Sequence, residues 1–176
     1  MKDKILNNRA NSFGLWWLRS DEFYKTAKIL WHLETIDTPI RKDQGKGDTS
    51  KIHIYYRTAS LLMGLSLETL AKAIIVKRSP LLSTEVRFPK NLDTHVLTDL
   101  FIEVRSDFNE EEKQVLNRLT AAIIWVSKYP VPKKTSGWQI NNLLRNDNDF
   151  VVFEELRKKL LKIESLIPRP ARKVLK

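Results

Sequence analysis

Ser50–Arg78, SKIHIYYRTASLLMGLSLETLAKAIIVKR, runs for more than two dozen residues with no proline and a single glycine. Ile52, Tyr55, Tyr56, Ala59, Leu62, Met63, Leu70 and Ile74 recur at helical spacing, and a narrow polar stripe of Arg57, Gly64, Glu68 and Lys72 runs beside them. The pattern predicts one long helix. A helix this apolar is normally enclosed by other helices, so ionisable groups along one line of it require partners or a purpose.

Outward from this stretch the chain reads as helices separated by breakers. Ser20-Asp21-Glu22 offers a serine cap followed by first-turn acids, and Phe23, Ala27 and Leu30 carry a helix from there to about Ile36. Phe13–Leu18 (FGLWWL) reads as either a docking arm or a preceding helical turn. Thr38-Pro39 and the glycine-bearing loop 41–49 separate the first helix from the second. Ser79-Pro80 stops the second helix, and 81–91 is a connector. A third helix is predicted from Asp93 or Thr94 through Leu97, Leu100, Phe101, Val104 and Phe108. Asn109, followed by three glutamates, is a strong start for a fourth; its stripe is Val115, Leu119, Ala122, Ile123 and Val126, and it ends at Tyr129-Pro130. Asp149 is a candidate cap for a last helix through Phe153, Leu156, Leu160 and Ile163. No convincing strand alternation or internal repeat is present. The expected fold is an all-α, up-and-down bundle of four to five helices. The expected organisation is one domain over 1–176, with an N-terminal arm (1–19), the bundle (20–166) and a basic tail (167–176).

Composition limits the function classes. With 176 residues, 42% hydrophobic and 30% charged, the chain suits one globular core. It has no cysteine, which excludes disulfides, cysteine nucleophiles and thiolate metal sites. The longest uninterrupted apolar run, Ala121–Val126, is far below the roughly 20 residues of a membrane span, and residues 1–14 lack a signal-peptide core; a cytoplasmic protein without a membrane partner is expected. The net charge of +10 is unevenly placed: eight Lys/Arg and one acid lie from Arg157 onward. Such asymmetry favours a polyanionic partner, or else serves as a solubilising surface.

Candidate chemistry rests on few positions. Glu68 and Lys72 stand i,i+4 in the favourable order for a helical ion pair; they either satisfy each other at a bundle edge or form part of a site. His95, placed in the first turn of the third helix opposite its apolar stripe, is solvated or faces another element, and Asp99 one turn on could orient it as a base. His32 and His53 are isolated, and no metal-ligand spacing, phosphate-cradling loop or hydrolase elbow occurs, so neither a metal nor a cofactor is expected. Five tryptophans, Trp138 among basic residues, permit base stacking, though tryptophans at helical spacing also serve as core.

Tyr24-Lys25-Thr26-Ala27, then Ala59 and Gly64–Ile75 (GLSLETLAKAII), then Thr94-His95-Val96-Leu97, and finally Lys128-Tyr129-Pro130 resemble HEPN domains over roughly Phe23 to Pro132. The resemblance implies a helical bundle, often dimeric, acting in RNA or nucleotide biology, commonly in toxin–antitoxin and defence systems. It also implies partners of the kind such systems use: RNA or a nucleotide, a cognate nucleotidyltransferase or antitoxin protein, a second copy. Active family nucleases carry arginine and histidine four to six residues apart. Here Arg87 is seven intervening residues from His95, while Lys90 has the right spacing but lacks arginine's planar bidentate grip on phosphate. The leading expectation is therefore a non-catalytic protein that binds through Glu68, Lys72, His95 and Tyr129, with Arg169, Arg172 and Lys173 attracting phosphate. The alternatives are a divergent metal-independent endoribonuclease using His95 with Lys90 or Arg87, and a helical protein-interaction module.

Overall fold

The computed structural model describes residues 12–33, 36–37, 51–52, 55–78, 92–126 and 146–168. These form five α-helices: α1 (Phe13–His32), α2 (Tyr56–Arg78), α3 (Leu97–Glu103), α4 (Glu110–Ala121) and α5 (Asp149–Ser165). The architecture is an all-α bundle. A short antiparallel ladder, β1 (Ile36–Asp37) with β2 (Lys51–Ile52), pairs Ile36 with Ile52 and Asp37 with Lys51. The sequence suggests a helix from Ser50, but Lys51 and Ile52 are paired as a strand, and β-branched Ile52 suits extended backbone. The helix begins at Tyr56 instead.

α2 is the axis of the bundle, in contact with each of the other four helices. By length and composition it is apolar enough to cross a membrane, a property that counting uninterrupted apolar runs overlooks; 83% of its most apolar stretch is buried against the rest of the protein. Met63, Leu67, Leu70, Ala71 and Ile74 are fully buried along it. Lys77 and Arg78 occupy its last turn, where cations complement the helix dipole.

α1 starts at Phe13, so the aromatic segment is its first turns and Ser20 is not its cap. Ser12 is the cap, its Oγ accepting from the Leu15 N–H at 3.4 Å. Ser20 is instead fully buried in the helix middle, where its Oγ donates to the Ser66 carbonyl at 2.8 Å while the Ser66 Oγ donates to the Ser20 carbonyl at 3.0 Å. This reciprocal pair satisfies two buried hydroxyls and brings α1 and α2 close. Lys77 at the end of α2 lies over the Phe13 ring at 5.1 Å, and Tyr56 at its start lies 5.9 Å from Trp31, so the two helices are antiparallel. α5 also runs antiparallel to α1: Phe150 stacks on Trp31, Phe153 meets Tyr24, and Arg157 reaches Ser20. Trp31 is buried, and Trp16 and Trp17 pack partly buried against the core. The tryptophans with described side chains are therefore packing residues.

α3 is shorter than predicted and starts at Leu97. The Thr94 Oγ accepts from the Val96 N–H at 3.1 Å, a local turn that competes with helix formation. It ends in a Schellman motif, with Ser106 N–H bonded to the Phe101 carbonyl and Arg105 N–H to that of Ile102. Arg105 takes the left-handed position (φ 56°) where glycine is usual. Asn109 caps α4 through a complete capping box with Glu112, as its sequence indicates. After Ala121 the helix widens into a π-helical segment, Ala122–Val126. Asn148, not Asp149, stands at the N-cap position of α5, though its side chain makes no capping bond, and Asp149 in the first turn takes a salt bridge from Arg118 of α4. The expectations for 41–49, 81–91, Trp138 and the 169–176 tail lie outside the described residues.

Where α2 crosses α4, Gly64 faces Leu119 and Ile123. A Cβ there would lie 2.8 Å from Ile123 Cγ1 and 3.0 Å from the Leu119 carbonyl oxygen. Backbone cannot yield as a side-chain tip can, so Gly64→Ala is expected to cost about 1–3 kcal/mol. Arg105→Gly, by contrast, should be neutral or stabilising by up to about 1 kcal/mol through relief of the left-handed backbone. Urea midpoints of the two variants against wild type check both signs.

Candidate functional site

Two residues of α2 and one from the segment before α3 meet in a single cluster. Glu68 and Lys72 lie one turn apart, and both are buried, at 5% and 3% exposure. The Lys72 ammonium donates to Glu68 Oε1 at 2.6 Å. His95 Nδ1 lies 3.1 Å from each of the Glu68 carboxylate oxygens. A carboxylate paired with lysine offers only lone pairs, so this contact places the proton on Nδ1 and leaves the neutral ring's acceptor at Nε2. The His95 side chain is 60% exposed. The result is a half-open imidazole held from behind by a buried ion pair.

The segment carrying His95 is itself fixed. The Thr94 hydroxyl accepts from Val96, and the Leu97 N–H donates to Thr120 Oγ of α4 at 3.1 Å. Helices α2 and α4 thus set the ring's position between them.

Several expectations require correction. Glu68 and Lys72 do satisfy each other, but inside the bundle and not at its edge. His95 precedes α3, whose cap is Val96, so it does not sit in the first turn. The His95–Asp99 pairing is replaced by His95–Glu68; Asp99 lies in the first turn of α3 and is exposed. Of the binding set drawn from the sequence, Glu68, Lys72 and His95 come together. Tyr129, Arg169, Arg172 and Lys173, and the alternative catalytic partners Lys90 and Arg87, lie outside the described residues. His32 packs edge-on against Phe150 at 5.2 Å, and among the described residues no three His, Asp or Glu side chains cluster as a metal site would need.

Two further polar centres escaped the sequence. Buried Arg157 of α5 donates to Ser20 Oγ at 3.2 Å and to Asp21 Oδ1 at 3.3 Å, and its guanidinium lies 4.4 Å from the centre of the Tyr24 ring. Burial lowers its pKa below that of a free arginine, with Asp21 opposing the shift. Arg118 forks onto Asp149, and both line a crevice with Tyr56, Arg57, Ser60, Leu119 and Ala122. Its volume is about 10 Å³, room for one water and not for a substrate. Neither pairing has a local signal, because the partners are 31 residues apart or more.

Comparison of the chain with protein-family models, with curated proteins and with solved structures gave no match.

Truncating one member of a buried pair leaves the other charge uncompensated. Glu68→Ala is expected to destabilise the protein by about 3–5 kcal/mol, and the double change Glu68→Leu with Lys72→Met to recover most of that loss. Chemical denaturation of the single and double variants measures both, and the His95 ring resonances should shift in each.

Proposed function

We propose that this chain is a HEPN-like protein that binds RNA without cutting it, using the exposed edge of His95 and the basic residues toward the C-terminus. The observation that carries this reading is the convergence of Glu68, Lys72 and His95. These come from two separate stretches that resemble HEPN motifs, GLSLETLAKAII and THVL, and they form one bonded unit. The Glu68 carboxylate is occupied by a buried lysine and by the histidine it holds, so its first role is to fix α2 against the start of α3. What reaches the surface is a positioned imidazole edge whose Nε2 acceptor suits a base amino group or a ribose hydroxyl, leaving the phosphates to the basic residues.

The basic excess supports the same reading. The net charge is +10, with Arg169, Arg172 and Lys173 adding to the positive C-terminal end, and such clustering draws phosphates by counterion release. A toxin–antitoxin or defence setting, in which a nucleotide or a cognate nucleotidyltransferase or antitoxin would be the alternative partner, rests on the family resemblance alone.

One observation favours a second reading, the divergent endoribonuclease. A histidine whose Nδ1 is held by a carboxylate is the arrangement of an oriented general base. Lys90 or Arg87 would then have to supply the phosphate contact.

Binding to a single-stranded RNA is expected to weaken with salt. Each phosphate contact contributes about 0.7 to the log–log slope, so changing Arg169, Arg172 and Lys173 to Gln should lower its magnitude by about 2. No measurable RNA affinity in the wild type would reject the proposal. RNA cleavage by the wild type but not by His95→Ala would replace it with the nuclease.

A further inference from the structure

The outer face of α1 is unusual for a surface helix. Its inner face packs Ser20, Ala27 and Trp31 into the bundle. The opposite face should be polar, yet it carries Leu15, Leu18, Ile29 and Leu33, exposed at 50%, 51%, 64% and 44%. At 3.6 residues per turn these four, with Glu22 and Lys25, fall within an arc of about 80°. They make one straight seam along the helix.

The order along the seam is apolar, apolar, acid, base, apolar, apolar. Consider a second copy laid antiparallel on this face, with the two-fold axis midway between Glu22 and Lys25. Leu18 then meets Ile29 of the other copy and Glu22 meets Lys25, with each contact occurring twice, while Leu15 lies opposite position 32 and beside Leu33. A two-fold interface must be self-complementary in this way, with residue i on j and j on i. A parallel pairing would instead set glutamate against glutamate and lysine against lysine. The present partners of the two charges, Arg19 at 2.9 Å and Asp21 at 2.8 Å, are exposed or half-exposed pairs within the same helix, and such pairs are weak enough to exchange or share.

We propose that the outer face of α1 is a homodimer interface, in which two copies pair antiparallel through this seam. The inference is independent of RNA binding. One helix from each copy contributes only a small area, which places the dimer among reversible, concentration-dependent assemblies.

Charge reversal provides a test that reads both orientation and occupant. Glu22→Lys and Lys25→Glu each convert two attractive contacts into two repulsive ones, and each should weaken self-association roughly tenfold by sedimentation equilibrium. Mixing the two variants in equal amounts should restore dimers, now heterodimers, because each lysine again faces a glutamate. Any effect of a substitution on its own helix persists in the mixture, so recovery there reports the contact between copies. Far-ultraviolet circular dichroism verifies that each variant is folded. A wild type that stays monomeric at the highest attainable concentration would overturn the proposal and leave the seam to a different protein. Variants that associate as the wild type does, or a mixture that fails to recover, would overturn it too.

Discussion

An apolar helix has to be covered on every side, and α2 imposes that requirement on the whole chain. Each of the other helices supplies part of the cover, and every polar group that α2 carries inward must find a partner in the same packing. Ser66 exchanges hydrogen bonds with Ser20, Thr69 donates back to the Leu65 carbonyl at 2.7 Å, and Glu68 takes Lys72 and His95. Lys77 reaches Glu164 of α5 at 2.5 Å. Where Leu119 and Ile123 press on α2, it has no side chain at all, only Gly64. The candidate site is thus part of the enclosure: a histidine reaches the surface because a buried carboxylate on the central helix needs a second donor.

The same logic explains the cluster around Arg157. A guanidinium taken out of water is costly unless its donors are met. Here Ser20, Asp21 and the face of Tyr24, all on α1, meet an arginine from α5, and Ser20 is in turn bonded to Ser66 on α2. Three helices distant in sequence are tied by one polar chain. Such a chain adds little net stability and instead rejects arrangements in which any one helix is rotated or shifted.

Much of the fold could be read from residues whose signals are local. The apolar spacing of Met63, Leu70 and Ile74 identified the central helix, and Asn109 with Glu112 identified the start of α4 to the residue. Signals that depend on distant partners were not legible. Ser20 looks like a cap because serine before two acids usually is one; only Ser66 and Arg157 make it a core hydroxyl. Arg105 fills a position that sequence reasoning reserves for glycine. At the site, the Glu68–Lys72 pair was visible from its spacing. The His95 contact was not, since it joins two segments 27 residues apart and depends on α3 beginning later than its pattern suggests.

Helix α1, finally, has two faces that could each be buried. Apolar packing favours the side bearing Trp16, Trp17, Tyr24, Ala27 and Trp31, but Leu15, Leu18, Ile29 and Leu33 give the other side an apolar pull of its own. The hydroxyl of Ser20 adds a second, directional criterion. It finds a carbonyl and an arginine only when its own side faces inward, whereas on the wrong side those groups would be sealed away unmet. A small polar residue thereby helps to set the helix's rotation, and an apolar seam is left facing outward as a consequence of folding correctly.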